Sequence, residues 1–158
     1  MDRATALIGG ALLDTALKLL ICTQFRELTN EQADDIFDGP TASLSSFSAK
    51  IRIAHALGFY GSKTLQDLER VKTIRNTFAH TLVPITFETE EVNAVCNNLT
   101  VAFQLVGHDR IQKYIDDPYT PKNRFIISVS FVLGSFNIFY NNDSDAPNHL
   151  KPFSEVLP

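Results

Sequence analysis

Arg75, Asn76 and His80 are the residues whose types and spacing could do chemistry together. A guanidinium stabilises negative charge, an imidazole can give or take a proton, and an amide fixes geometry. They lie in the stretch Leu65 to Leu82, L-Q-D-L-E-R-V-K-T-I-R-N-T-F-A-H-T-L. Leu65, Leu68, Val71, Ile74, Phe78 and Leu82 recur every three or four residues, the spacing of one buried helical face. Gln66, Glu69, Arg70, Thr73, Asn76, Thr77 and His80 fall roughly opposite. Asn76 and His80 are four residues apart, so their side chains can share a site. Arg75 lies on the flank, nearer the core, and Pro84 ends the helix within a few residues. The ordinary account is that His80 satisfies the last helix carbonyls and that Arg75 is solvated or paired.

The chain that must position these residues has 158 residues, 44% apolar and 20% charged, which suits one globular domain with a real core. A net charge of −4 argues against a surface that is basic throughout. The charge is uneven. Lys50, Arg52, Lys63, Arg70, Lys72 and Arg75 stand against Asp67 and Glu69, while Glu31, Asp34, Asp35 and Asp38 make an acidic block before them. Cys22 and Cys96 have no metal or redox spacing and read as reduced, buried thiols. The N-terminus has no signal-peptide layout, and no clean run of about 18 apolar residues predicts a membrane span.

Asp2 to Ile21 reads as a first helix, capped by Asp2. It is apolar all round, with Ala6, Leu7, Gly10, Leu13, Leu17, Leu20 and Ile21 on one face and Ile8, Leu12 and Leu19 on the other. Such a helix is buried on both sides, in a bundle centre or a subunit interface. Gly9 and Gly10 mark close helix approach. Asp14 interrupts the apolar face and needs a partner, because an isolated buried carboxylate costs several kcal/mol. Arg75 is the preferred partner, with Arg52 or Lys50 next. Thr29 or Asn30 caps a short helix through Phe37, ended by Gly39-Pro40. The Ser/Thr loop Thr41 to Ser48 caps the next, whose stripe Phe47, Ile51, Ala54 and Leu57 closes at Gly58. Ser62 or Thr64 starts the motif helix. Thr89, Glu90 and Glu91 open another, with Val92, Val95, Cys96, Leu99, Phe103 and Val106 inward, running on past Gly107 towards Ile115. Arg124 to Tyr140 has strand propensity, but its length reads as a buried helix. A bundle of about five to seven helices over 2–140 is expected, then an extended tail over 141–158.

The order of motifs resembles the mannitol operon repressor family. D-R-A stands at Asp2 to Ala4, L-L-D at Leu12 to Asp14, F-S-A-K-I at Phe47 to Ile51 and I-A-H-A-L-G at Ile53 to Gly58. I-R-N-T-F-A-H follows at Ile74 to His80, then I-T-F, E-E-V, and N-R-F at Asn123 to Phe125, so the likeness covers about residues 2 to 135. The R-x-x-x-x-H pattern also resembles the wider HEPN superfamily. These resemblances imply a cytoplasmic all-α regulator with a HEPN-like bundle that acts through protein partners, among them a phosphocarrier protein of the sugar phosphotransferase system. Arg3, Asp14, Lys50, Arg75, Asn76, His80 and Arg124, which lie in the matched motifs, become candidate binding residues.

The HEPN resemblance, in which Arg, an adjacent polar residue and His form a ribonuclease or nucleotide-binding site, also implies a rival function, a metal-independent ribonuclease acting across a dimer. There Arg75 would stabilise the phosphorane charge, His80 would serve as general acid or base, and Asn76 would orient the phosphate. RNA is a partner only in that reading. No helix-turn-helix pattern or Arg/Asn/Gln cluster suits the major groove, which makes direct DNA binding doubtful. No cofactor or metal motif is present. His55, His108 and His149 are too dispersed for a metal site, and Ser43, Ser45, Ser46 and Ser48 read as capping residues. The surplus apolar surface of the first helix predicts a two-fold homodimer. Light scattering at micromolar concentration should return twice the monomer mass, and a strict monomer would oppose the expectation.

Overall fold

A computed structural model of the chain describes residues 1–25 and 27–142, with side chains through residue 138. Among the described residues every regular element is a helix. Helix α1 (Asp2–Cys22) is the axis of the bundle. It packs against α3 (Phe47–Ala56), α4 (Ser62–His80) and α8 (Pro121–Asn142). The glycine pair makes this possible. A Cβ on Gly9 would stand 2.8 Å from the Phe125 ring of α8, and one on Gly10 would stand 2.6 Å from Cγ of Arg75 in α4. Ala6, Leu13, Leu17, Leu20 and Ile21 fill the inner face of α1. The outer face stays exposed: Ile8 is 59% accessible and Leu12 and Leu19 are each 51%. By length and composition α1 could cross a bilayer, with a mean hydropathy of 1.7, although 39% of that window is buried in the fold.

Asp2 does not cap α1. Met1 holds the cap position, and no side chain caps the helix start. The Asp2 carboxylate instead accepts from the Lys122 ammonium at 2.9 Å and the Phe87 N–H at 3.2 Å. Those contacts bind the start of α1 to α8 and to the loop after α4. The Lys122 hydrogen bond holds the Asp2 carboxyl below its ordinary range against the opposing effect of burial. Its contribution to stability is therefore present above the ordinary carboxyl pKa and fades as pH falls through the lowered one.

Helix α2 (Asn30–Phe37) starts with a capping box between Thr29 and Gln32. Ser46 caps α3 by accepting from the Ala49 N–H at 3.0 Å. Gly58, with φ +81°, lets the chain turn after α3, a conformation that favours glycine. In α4, Leu68, Val71, Ile74 and Phe78 are buried. Leu82 is not; it is 98% exposed. The helix stops at His80, and the extended backbone at Thr81 turns the next residues away from the stripe.

The long helix expected from Thr89 towards Ile115 is broken into α5 (Glu90–Asn97), α6 (Val101–Val106) and α7 (His108–Gln112). Asp67 of α4 makes the first break. Its side chain is 2% exposed, and Oδ2 accepts from the N–H groups of Thr100 at 3.0 Å and Val101 at 2.9 Å. Oδ1 accepts from Arg70 at 2.7 Å. A carboxylate from another helix thus caps α6, which chain-local pattern cannot reveal. Gly107, at φ +82°, makes the second break.

Helix α8 is helical along its full length despite its β-branched residues. It buries Phe125, Val129, Val132 and Phe136 in the main core, and the Phe136 ring stacks on Tyr60. Tyr60 in turn donates to the Ile51 carbonyl at 2.6 Å. Cys96 is fully buried, which pushes its thiol up to about 12, and burial also raises that of the half-buried Cys22. Asn141 and Asn142 complete α8, while the rest of the expected tail lies outside the described residues.

The Asp67 clamp should be costly to break. Asp67→Ala leaves the buried Val101 N–H, the part-buried Thr100 N–H and Arg70 without their acceptor and should destabilise by about 3–5 kcal/mol in urea unfolding. Asp67→Asn keeps one acceptor and should cost less. A loss under about 0.5 kcal/mol for the alanine variant would mean that α6 needs no cap from α4.

Candidate functional site

The C-terminal half of α4 faces a cleft of about 520 Å³ that α1 and the start of α3 complete. Lys72, Arg75, Asn76 and His80 line it from α4. Gly10, Ala11, Asp14 and Thr15 line it from α1, and Ser45, Ser46, Phe47 and Ser48 from the loop and first turn of α3. The three motif residues therefore share one cavity. Lys72, Asn76 and His80 follow one another at intervals of four on α4, which places them on one side of the helix.

Arg75 is oriented by packing and one hydrogen bond. Its aliphatic stem runs along the bare backbone of Gly10, and Nη1 donates to Oδ1 of Asn76 at 2.9 Å. It has no carboxylate partner among the described residues. His80 is exposed at the end of α4, and its ring makes no hydrogen bond to a described residue. The ring is free to meet a ligand.

Asp14 is satisfied by a different cation from the one preferred on sequence. Lys50 Nζ donates to its Oδ1 at 2.9 Å and Oδ2 at 3.1 Å, and to the Ser45 carbonyl at 3.3 Å. The Lys50 side chain is 4% exposed and that of Asp14 is 34%. Arg75 is not the partner because its stem lies beside Gly10, one turn before Asp14, and its head turns along α4 to Asn76. Lys50, in the first turn of α3, is the cation that reaches Asp14, and Arg52 points to solvent. Lys72 is also held: it pairs with Glu69 and donates to Ser48 Oγ at 3.3 Å, tying α4 to the start of α3.

Two other candidates stand apart from the cleft lining. The Arg3 guanidinium donates to the Thr81 carbonyl at 2.6 Å and fastens the start of α1 to the end of α4. Arg124 donates to the Leu99 carbonyl at 3.0 Å and sits 4.5 Å above the Phe103 ring, so it ties α8 to α6. Both are struts. Lys72 and the serines of the α3 loop, in contrast, line the cleft without having been singled out as site residues. The available signal was Lys72 at i−4 from Asn76, together with a serine-rich loop entering a helix.

Among the described residues no group of three or more His, Cys, Asp or Glu could hold a metal ion. His108 lies between the rings of Phe103 and Tyr119, with centroids at 5.3 and 5.2 Å, and His55 lies 6.0 Å from Tyr60. His149 is outside the described residues. No family model, curated protein or solved structure matches this chain.

The Asp14–Lys50 pair generates a graded test. Asp14→Ala strands an ammonium that is almost wholly buried. Because Asp14 itself is one-third exposed, the cost should fall at about 2–3 kcal/mol, below that of a fully buried pair. Lys50→Met replaces the charge by an apolar chain of similar length and should cost less than Asp14→Ala. Equal, near-zero effects in chemical denaturation would show that the pair contributes nothing.

Proposed function

We propose that this chain is a non-enzymatic regulatory binding module, of the mannitol-repressor-like and HEPN-like kind that its motif order resembles. It works in the cytoplasm as a homodimer and recognises an anionic group in the cleft formed by α1, α3 and α4. The observation that carries this reading is charge placement. Asp14, the acid among the described residues that line the cleft, is already neutralised by Lys50, and Glu69 nearby by Lys72, while Arg75 has no counter-charge among the described residues. A guanidinium has five donors in a planar fork, and Asn76 takes one of them. The remaining donors are complementary to a carboxylate or phosphate on a partner. A phosphocarrier protein of the sugar phosphotransferase system, suggested by the family resemblance, has the right chemistry. Any effect on transcription then passes through that contact.

The ribonuclease reading is kept because one observation favours it. Had Asp14 neutralised Arg75, the arginine would be a strut; its pairing with Lys50 leaves Arg75 available to a phosphodiester. A single cleft, however, offers one histidine, and acid–base cleavage of RNA needs a proton acceptor and a proton donor. A second cleft would have to face the first.

The two readings part on RNA. The purified protein should leave single-stranded RNA intact in the presence of a chelator, and Arg75→Glu should abolish saturable binding to the phosphocarrier protein in calorimetry. Cleavage that vanishes in His80→Ala but survives in His108→Ala would replace the regulatory reading by the enzymatic one, since losing a general acid or base typically lowers rate by about 10²–10⁴.

A further inference from the structure

We infer that α6 and α7 form a latched arm, a lid over one face of α8, that opens as a unit while the rest of the bundle stays folded. The inference is independent of what the cleft binds.

The first argument is where the apolar contacts go. Among the described residues the buried apolar side chains fall into two separate groups. The main group draws on α1 to α5 and α8, and on no residue from 100 to 120. The second consists of Ala102 and Phe103 of α6, Ile111 of α7 and Ile127 of α8, and the half-buried Phe131 borders both. Losing the small group therefore leaves the main core intact. Helices of six and five residues cannot persist alone, since isolated helices in water are marginal below about 12–15 residues. Once their shared core parts, α6 and α7 melt together and uncover Ile127 and Phe131. This is local unfolding with a defined boundary.

The boundary is set by clamps at each end. Leu99 is fully buried in the main core, and Arg124 donates to its carbonyl at 3.0 Å. After α7, Asn123 Nδ2 donates to the Asp117 carbonyl at 2.6 Å and ties the exit to the first turn of α8. The moving part is thus 100–116. Within it Gly107 makes its turn in open space, where a Cβ would have no neighbour within 4 Å.

The second argument is the kind of group that holds the arm shut. Asp67 caps α6, Lys63 Nζ donates to Gln104 Oε1 at 3.4 Å, and the Arg124 guanidinium covers the Phe103 ring. Polar latches of this kind can exchange for water. Thr64 and Ser128 carry buried hydroxyls that have no hydrogen-bond partner among the described residues. Each adjoins a holding residue in the chain, Thr64 next to Lys63 and Ser128 next to Ile127. Water entering an opened seam would satisfy them, which offsets part of the cost of opening.

Hydrogen exchange of the full chain, followed by residue at urea concentrations below the unfolding transition, tests this. The N–H groups of Val101, Gln104, Gly107 and Ile115 are all hydrogen-bonded in the closed arm. They should share one opening equilibrium, about a hundredfold or more above that of Val71, Ile74 and Phe78 in α4. Its dependence on urea should be weaker, because less surface is exposed. Ile74→Val, in the main core, should speed exchange in α4 by about two- to tenfold and leave the four arm amides unchanged. Ile111→Val should speed the arm amides by a similar factor, and Asp67→Asn, which loosens a latch, should speed them too. One opening equilibrium common to the arm and α4 would overturn the inference, as would arm amides that quicken with Ile74→Val as much as α4 does. Four unrelated, urea-independent openings in the arm would also sink it, since they report fraying and not a unit.

Discussion

The contact between Gly10 of α1 and the stem of Arg75 is the constraint on which the site depends. With a side chain at Gly10 the two helices could not approach as they do, since a Cβ would fall within 2.6 Å of Arg75 Cγ. Gly9 does the same for α8 on the next residue, where the Phe125 ring covers the backbone. Two adjacent glycines thus seat α4 and α8 against one helix, at an intrinsic cost of about 1 kcal/mol each relative to alanine. Close packing of the aromatic and aliphatic side chains around them offsets that cost. The geometric result reaches the cleft. The Arg75 stem is laid along a smooth helix surface, so its head emerges in a fixed direction beside Asn76.

Charge is distributed around that arginine in a consistent way. Each acid near the cleft has a cation of its own: Lys50 for Asp14 and Lys72 for Glu69. Asp67, deeper in α4, is used for Arg70 and the α6 backbone. Removing these acids from competition leaves Arg75 as the cation whose needs a ligand can meet. The same pairs fasten the walls. Lys50 joins α3 to α1, and Lys72 joins α4 to Ser48 at the start of α3. An anion bound in the cleft would therefore meet donors held in place by ion pairs on either side, which lowers the ordering cost of binding.

Much of the fold was legible because helical periodicity reports which face of each helix is inward. The stripe Leu68, Val71, Ile74 and Phe78 is buried as its spacing requires, and the length of α8 outweighs the strand propensity of its Ile and Val residues. Asp14 was legible as a carboxylate in need of a cation, but its partner only as one of three cations, with Arg75 ranked above the Lys50 that pairs with it. A helical wheel gives the direction in which a residue points, but not which neighbouring helix arrives there. Pattern misled at Leu82, where the spacing continues after the helix has ended. The break between α5 and α6 was invisible for a stronger reason. Its cause, Asp67, lies 33 residues before Thr100 in the chain, and only folding brings the two together. Lys72 was legible only as one cation of a basic stretch, because a lysine on a helix looks the same whether it faces solvent or a cavity.

The two faces of α1 are separated by very little chain. Ala11 and Thr15 line the cleft, while Ile8, Leu12 and Leu19 stand exposed on the same helix. Between Arg3 and Lys18 the only charged residue of α1 is Asp14, and Lys50 neutralises it. In a homodimer of the proposed kind, a second copy packed on the outer face would lie beside the cleft rim. Covering Leu12 would constrain Ala11, and covering Leu19 would constrain the turn that carries Thr15. A rigid helix cannot shift one face without shifting the other. Occupancy of the cleft and packing on the outer face would then be coupled through α1, with the strength of coupling set by how differently the ligand fits the free and paired forms.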